Sequence, residues 1–146
     1  MIMKKIFIAV LALAAAACSH TDLPLENTQW KLVELNGDAN PAFAEDGTFA
    51  FTLDGETING VGACNRFFGG YELSEHNGFK TGMMGMTRMA CPNMDLEDAF
   101  VRMLDEADSY SIDGDTLVLI TDGVEAARFK GTAAASGDGD NAVSEK

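Results

Sequence analysis

Short segments in which apolar and polar residues alternate run through most of this chain, and turn-forming pairs separate them. Residues 49–53 alternate in this way, Asp54-Gly55 turns the chain, and residues 57–61 return, which is a hairpin pattern. Alternation of this kind is typical of strands with one buried face. It predicts strands over residues 30–35, 49–53, 57–61, 66–73, 79–84, 110–112, 116–121 and 124–130.

Six Asn-Gly or Asp-Gly pairs mark the predicted turns, because these residue types tolerate a positive φ. They lie at residues 36–37, 46–47, 54–55, 77–78, 113–114 and 122–123. Turns this short join neighbouring strands directly, and strands joined in this way pair antiparallel.

One segment has the periodicity of a helix instead. Four apolar residues are spaced by three or four positions: Leu96, Phe100, Met103 and Ala107. This spacing places them on one face, and Asn93 or Asp95 can cap the start. We predict a helix over about residues 94–108 that covers a small antiparallel, barrel-like sheet of seven or eight strands. The predicted fold class is mainly β, a β-rich α+β domain.

The N-terminus has the organisation of an export signal. Two lysines precede the uncharged apolar residues 6–17, a run of twelve residues that would span only about 18 Å as a helix, too little for a bilayer core of about 30 Å. The run ends in small residues before Cys18, which resembles a bacterial lipobox, although Ala15 stands where Leu is usual. We predict a lipoprotein signal peptide over residues 1–17; an ordinary signal peptidase site is the alternative.

Acyl chains such as palmitate on Cys18 would hold the mature protein to a bilayer without spanning it. Ser19 beside it favours, by resemblance to enteric lipoproteins, the outer membrane facing the periplasm. Residues 18–24 then form a tether to a domain over residues 25–130. Residues 131–146 contain one large apolar residue, and we predict that they form a disordered acidic tail.

Charge excludes one class of partner. The chain has 10 Lys and Arg residues against 23 Asp and Glu residues, a formal charge of −13 that becomes −15 when the two lysines of the signal are removed. Proteins that bind nucleic acid need clustered cations for the phosphates, so we expect no nucleic-acid partner. A hydrophobic fraction of 47% is enough for a packed core.

Two stretches resemble the signatures of a known family. Residues 62–71 (GACNRFFGGY) and residues 87–92 (TRMACP) resemble the two signatures of the META/HslJ family, and residues 27–32 (NTQWKL) are similar to its usual start. Ala63 departs from the first signature, where Gly is common. The resemblance implies a small β-rich, barrel-like envelope domain, often a lipoprotein, associated with heat-shock or novobiocin tolerance. It implies no established catalytic activity.

Two cysteines, Cys64 and Cys91, remain in the exported domain once Cys18 is acylated. An oxidising compartment favours a disulfide between them, and two buried free thiols are the alternative. Their spacing is not the C-x-x-C of redox-active pairs. Only His76 could join them at a zinc site, because His20 lies in the tether, so we expect no metal.

Four polar residues of the two signatures form a candidate interaction or structural cluster: Asn65, Arg66, Thr87 and Arg88. An Asn in a strand suits a place where its amide holds neighbouring backbone. The two arginines are among only seven positive charges in a body with 19 acids. We expect each to form an internal ion pair that fastens residues 87–92 to the sheet; an anion or peptide-carboxylate site is the alternative.

Methionines and aromatic residues suggest two further hypotheses. Six methionines lie within residues 83–103, and spacings such as that of Met83 and Met86 suit Cu(I), although core filling is the more ordinary use of methionine. Four rings could line a calyx for an apolar ligand: Phe67, Phe68, Tyr71 and Phe79. A chain this short more often fills its interior with such rings.

The sequence contains no Ser/His/Asp set, acid pair or metal triad at a usable spacing, so we expect no enzyme activity and no cofactor. We predict an envelope-anchored structural or protein-interaction module that acts in stress or antibiotic tolerance, with an envelope protein as its partner. The alternative function is a carrier that holds a small hydrophobic ligand in the barrel interior.

Overall fold

The computed structural model describes residues 20–133. The predicted signal peptide, the predicted acylation site Cys18 and most of the predicted tail lie outside the described residues. Within the described part of the chain, no helix has both the length and the apolar character needed to cross a membrane.

Eight antiparallel strands follow one another around a closed barrel, in which each strand pairs with the next and the last pairs with the first. The strands are β1 (Thr28–Leu35), β2 (Ala50–Asp54), β3 (Thr57–Val61), β4 (Arg66–Ser74), β5 (Gly78–Met86), β6 (Ser109–Asp113), β7 (Thr116–Thr121) and β8 (Val124–Ala133). A 3-10 helix (Pro41–Ala44) follows β1, and the helix α1 (Met94–Glu106) follows β5. The predicted β-rich, barrel-like fold with one helix is confirmed.

Residues with a positive φ make the hairpin turns possible. Gly55 has a φ of 63° between β2 and β3, and Gly114 has a φ of 61° between β6 and β7. The turn before β5 differs from the prediction, because His76 and Asn77 carry the positive φ values there. Gly78 instead opens the strand.

Aromatic rings fill the barrel interior. The ring of Phe100, on α1, has its centroid 5.8 Å from that of Phe49, 5.8 Å from that of Phe67 and 6.2 Å from that of Phe129. Trp30 is also fully buried. Burial of each such side chain contributes about 1.5–3 kcal/mol of transfer free energy, so the helix stabilises the barrel by inserting a ring into its core.

This filled interior argues against the alternative of a hydrophobic-ligand carrier. Three of the four rings proposed to line a calyx, Phe67, Tyr71 and Phe79, are buried in the core cluster with the other rings. The fourth, Phe68, points out of the barrel and is 59% exposed. The aromatic residues therefore act as core, as expected for a short chain.

Helix α1 lies where the barrel wall is least complete. The ladder between β5 and β6 consists of the pair Gly78 and Ser109, and beyond it the Thr81 hydroxyl on β5 donates to the Leu104 carbonyl oxygen on α1 at 3.2 Å. Asn93 takes the N-cap position with a φ of 68°, but its side chain forms no capping hydrogen bond. The helix is therefore held mainly by its buried face.

The predicted end of the domain at residue 130 is wrong by three residues. Strand β8 continues to Ala133, which pairs with Thr28 on β1. Gly131 pairs with Trp30, and a Cβ on Gly131 would lie 2.6 Å from the indole carbon Cζ3. Gly131, one of the small residues that suggested a tail, is therefore needed where the chain passes over the tryptophan.

The last residues of the predicted tether are also attached to the barrel. The Leu23 N–H donates to the Gly114 carbonyl oxygen at 2.8 Å, and the Gly114 N–H donates to the Asp22 carboxylate at 2.7 Å. Asp22 and Leu23 are therefore attached to the barrel and do not belong to a free tether.

Candidate functional site

The side chain of Asn65 lies at the centre of a buried network between the barrel, α1 and the loop of residues 87–92. Its Nδ2 donates to the Met89 carbonyl oxygen at 2.9 Å and to the Glu97 carboxylate at 2.6 Å. Its Oδ1 accepts from the Met89 N–H at 2.6 Å and from the Thr87 hydroxyl at 3.0 Å. Both donors and both acceptor positions of the amide are used, which fixes the orientation of the side chain.

Glu97, on α1, is fully buried and completes this network. Its Oε2 accepts from the backbone N–H groups of Cys64 and Asn65, each at 2.9 Å. A glycine makes this approach possible, since a Cβ on Gly62 would lie 2.5 Å from Cγ of Glu97. The carboxylate therefore bridges the helix to the corner between β3 and β4.

The hydrogen bonds decide the charge of Glu97. Burial alone would raise the pKa of its carboxyl, but the Asn65 side chain and the backbone N–H groups of Asn65 and Cys64 outweigh this effect and hold the pKa below its ordinary value. The group is therefore an ionised carboxylate at neutral pH.

A disulfide joins Cys64 to Cys91, with Cα atoms 6.4 Å apart, so the predicted bridge is confirmed. It attaches the end of the 87–92 loop to the β3–β4 corner. At the start of the loop, the Thr87 N–H donates to the Arg66 carbonyl oxygen at 2.9 Å. The Arg66 N–H in turn donates to the Thr87 hydroxyl at 2.9 Å. The loop is therefore fixed to the sheet at both ends.

Within residues 20–133, neither Arg66 nor Arg88 forms the internal ion pair that was predicted for it. Between residues 20 and 133, ion pairs join His20 to Asp113, Arg128 to Glu125 and Lys130 to Asp115. Both Arg66 and Arg88 are exposed, and an exposed pair contributes only about 0–1 kcal/mol. The loop is fastened instead by the Asn65 amide, by backbone hydrogen bonds and by the disulfide.

A cleft of about 280 Å³ lies beside this network. Three methionines, Met86, Met89 and Met94, line it together with the charged residues Arg88 and Asp98. Met89 is 60% exposed, although its backbone is held by Asn65. The cleft thus combines flexible apolar side chains with one positive charge, Arg88, and two acids, the exposed Asp98 and the buried Glu97.

Glu97 was not among the candidate residues predicted from the sequence. The helical spacing contained the signal: Glu97 lies three residues before Phe100 and seven before Leu104, and all three side chains are buried. An acid on the apolar face of a helix requires hydrogen-bond donors on the facing element.

One group of potential metal ligands occurs among the described residues, at the start of the barrel. Ligand atoms of His20, Asp22 and Asp113 lie within 4.8 Å of one another, and all three residues are exposed. One Asp22 oxygen already accepts the Gly114 N–H. The group is separate from the Asn65 network.

The fold and the site together define a class of small antiparallel barrels, closed by a helix and carrying a disulfide-linked loop over a buried Asn–Glu pair. The META domain model matches residues 23–134 of the chain. The chain belongs to the META domain family.

Solved structures share this fold. An NMR structure of a protein from Burkholderia xenovorans is 25% identical, with a TM-score of 0.61 over 74% of this chain and 83% of that chain. A crystal structure of a DUF4847 family protein from Bacteroides vulgatus is 17% identical, with a TM-score of 0.55 over 73% of this chain and 93% of that chain, and it shows likeness of fold alone. No curated protein matches the chain.

Proposed function

We propose that this protein is a lipid-anchored, non-enzymatic domain of the bacterial envelope that binds a partner protein in stress or antibiotic tolerance. The observation that carries the proposal is the cleft of Met86, Met89 and Met94, held on a loop that is fixed at both ends. Anchoring through Cys18 follows from the sequence, and the role in tolerance follows from the family resemblance.

The chemistry of the cleft suits protein recognition. Met and Arg are enriched at interfaces between proteins, and the flexible thioether side chain of Met adapts to different partner shapes. Because Asn65 and the disulfide already order the backbone of residues 87–92, binding costs less conformational entropy than binding to a mobile loop would. Exposed Arg88 and Met89 can therefore act as the contact residues.

A structural role for the buried acid supports a non-enzymatic function. Glu97 is the one charged residue that is fully buried within residues 20–133, and it lines the cleft. Its carboxylate accepts hydrogen bonds from Asn65 and from the backbone, and its pKa is lowered rather than raised towards neutrality. A general base for chemistry near pH 7 requires the opposite shift.

Anchoring is tested by substitution at the predicted acylation site. The Cys18→Ser variant is expected to lose the acyl chains, so that membrane fractionation finds it in the soluble fraction or as unprocessed precursor. The matched control is the neighbouring Ser19→Ala variant, which keeps the cysteine and is expected to stay with the membrane. An unprocessed precursor is still held in the membrane by its apolar segment, so the contradicting outcome is membrane retention of a Cys18→Ser chain whose signal peptide has been removed.

The partner is tested by a photoreactive residue in the cleft. Arg88→p-benzoylphenylalanine is expected to crosslink to one dominant envelope protein in intact cells, identified by mass spectrometry. The same substitution at Val124, the first residue of β8, which is 68% exposed, is the control and is expected not to do so. Addition of Met89→Asp should abolish the Arg88 crosslink. Crosslinking that is equal at both positions, or that survives Met89→Asp, would argue against the cleft as the binding surface.

A further inference from the structure

Three methionines from different secondary-structure elements line one cleft. Met86 is the last residue of β5, Met94 is the first residue of α1, and Met89 lies in the loop between them. All three residues line the same space of about 280 Å³. A cluster of three thioethers is a set of soft, neutral donors.

The backbone at these three positions is held in place. The Met89 N–H and carbonyl oxygen both bind the Asn65 amide, at 2.6 and 2.9 Å. The Cys91 Sγ atom, fixed by the disulfide, lies 3.8 Å from the Met94 Sδ atom. Met86 is paired with Phe67 in the barrel wall. The donors are thus presented from an ordered frame, which reduces the entropic cost of bringing them onto one ion.

Cys64, Cys91 and Glu97 near the cleft do not compete as ligands. The exposed Asp98 carboxylate that lines the cleft is a hard oxygen donor, which suits Mg²⁺ or Ca²⁺ rather than Cu(I). Cys64 and Cys91 are joined to each other, so neither supplies a thiolate. The Glu97 carboxylate is engaged by three hydrogen-bond donors. Hard cations such as Mg²⁺ and Ca²⁺ require oxygen ligands, whereas thioethers select Cu(I).

We propose that Met86, Met89 and Met94 form a binding site for one Cu(I) ion. The site lies on the surface side of the Asn65 network, where the exposed Met89 side chain gives the ion access from solvent. Because a thioether has no proton to lose, the affinity is expected to stay constant between pH 5 and 8, unlike that of a site built from Cys or His.

The other methionines near the cleft do not line it. Met83 is 96% exposed and Met103 is buried in the core. Met84 and Met86 both pack against the core cluster, but of these two residues only Met86 also lines the cleft. The pairing of Met83 with Met86 that the sequence suggested for copper is therefore replaced by the set of Met86, Met89 and Met94. Met83 becomes a matched control on the same strand.

The test is a competition for Cu(I) with bicinchoninate under anaerobic conditions at pH 7, with the Cys18→Ser chain so that its thiol cannot bind the ion. This protein is expected to withdraw one equivalent of Cu(I). The variant with Met86→Leu, Met89→Leu and Met94→Leu should bind at least 100-fold more weakly, and Met83→Leu should bind as tightly as the parent. Leu keeps the apolar volume of Met, so the fold is retained, and thermal unfolding verifies this.

Silver, a redox-inert soft cation, provides a second measurement. Ag(I) is expected to raise the melting temperature of the parent and of Met83→Leu, because a ligand that binds only the folded state stabilises it, and not that of the triple variant. The proposal is overturned if the parent fails to compete for Cu(I), if the triple variant competes equally, or if Met83→Leu loses as much affinity. These outcomes do not depend on the partner crosslink at Arg88, so the copper site and the proposed protein partner can fail separately.

Discussion

Replacement of Glu97 by Gln is expected to lower the free energy of unfolding by about 3 kcal/mol, which corresponds to a fall in melting temperature of about 10 °C for a domain of this size. The carboxylate accepts from the Asn65 amide on one oxygen and from two backbone N–H groups on the other. A Gln side chain keeps the volume but must turn its NH2 group towards one of these sets of donors. At least one buried donor then loses its acceptor, and the charge that strengthened the remaining hydrogen bonds is gone.

Chemical denaturation followed by circular dichroism measures this loss. The matched control is Glu106→Gln, because Glu106 lies on the same helix but is exposed; its effect should stay within about 0.5 kcal/mol. Equal stability of Glu97→Gln and the parent, or equal losses in the two variants, would contradict the structural role of the buried carboxylate.

The effect of Glu97→Gln should also depend on pH. Since the pKa of Glu97 is lowered in the folded protein, the unfolded chain binds more protons than the folded protein as the pH falls below about 4.3, the ordinary pKa of Glu. The stabilisation by the ionised group is complete above that value and is lost as the pH falls through the folded pKa. The difference in the free energy of unfolding between parent and variant should therefore be constant above about pH 5.5 and shrink at lower pH. The pH dependence that comes from carboxyl groups present in both proteins cancels in this difference.

The barrel could be predicted because the sequence patterns that specify its strands and turns are local. Alternating residues define each strand, and pairs such as Asp54-Gly55 define where the next strand returns, so consecutive hairpins account for most of the sheet. The end of β8 was not predictable in the same way. Residues 131–133 have a tail-like composition, and only their pairing with β1, about 100 positions away in the chain, makes them a strand.

The candidate site shows the same division between local and distant information. The sequence indicated that the Asn65 amide holds backbone, because that property belongs to the residue type. It did not identify Glu97 as the partner, because the donors that satisfy its charge come from the β3–β4 corner, more than 30 positions earlier. Arg66 and Arg88 were predicted to be anchors because of their charge, yet both are exposed, and the loop is held by the Asn65 amide and the disulfide.

Removal of the disulfide is the second large expected effect. The bridge between Cys64 and Cys91 joins residues 27 positions apart, and in the chain-entropy model this stabilises the folded state by about 3.5 kcal/mol by restricting the unfolded chain. The double variant Cys64→Ser and Cys91→Ser should lose about this amount. It should still fold, because the Asn65 hydrogen bonds to the 87–92 loop do not involve the sulfur atoms.

The measurement is urea denaturation with and without a reducing agent, in the Cys18→Ser background. Reduction should shift the parent to the midpoint of the double variant and leave the double variant unchanged. Alkylation before reduction should modify neither Cys64 nor Cys91. If reductant leaves the parent midpoint unchanged, or if both thiols react in the native protein, the bridge does not stabilise the fold.

A variant that combines Glu97→Gln with the double Ser substitution distinguishes two ways in which the bridge could stabilise the fold. If it stabilises only by restricting the unfolded chain, the losses from Glu97→Gln and from the double Ser variant should add to within about 0.5 kcal/mol. If the bridge instead positions the Cys64 and Asn65 N–H groups for the carboxylate, its removal already weakens those hydrogen bonds, and the combined loss will be smaller than the sum. Since the hydrogen bonds from Gly62 and Arg66 flank this corner and hold its backbone independently, we expect additivity.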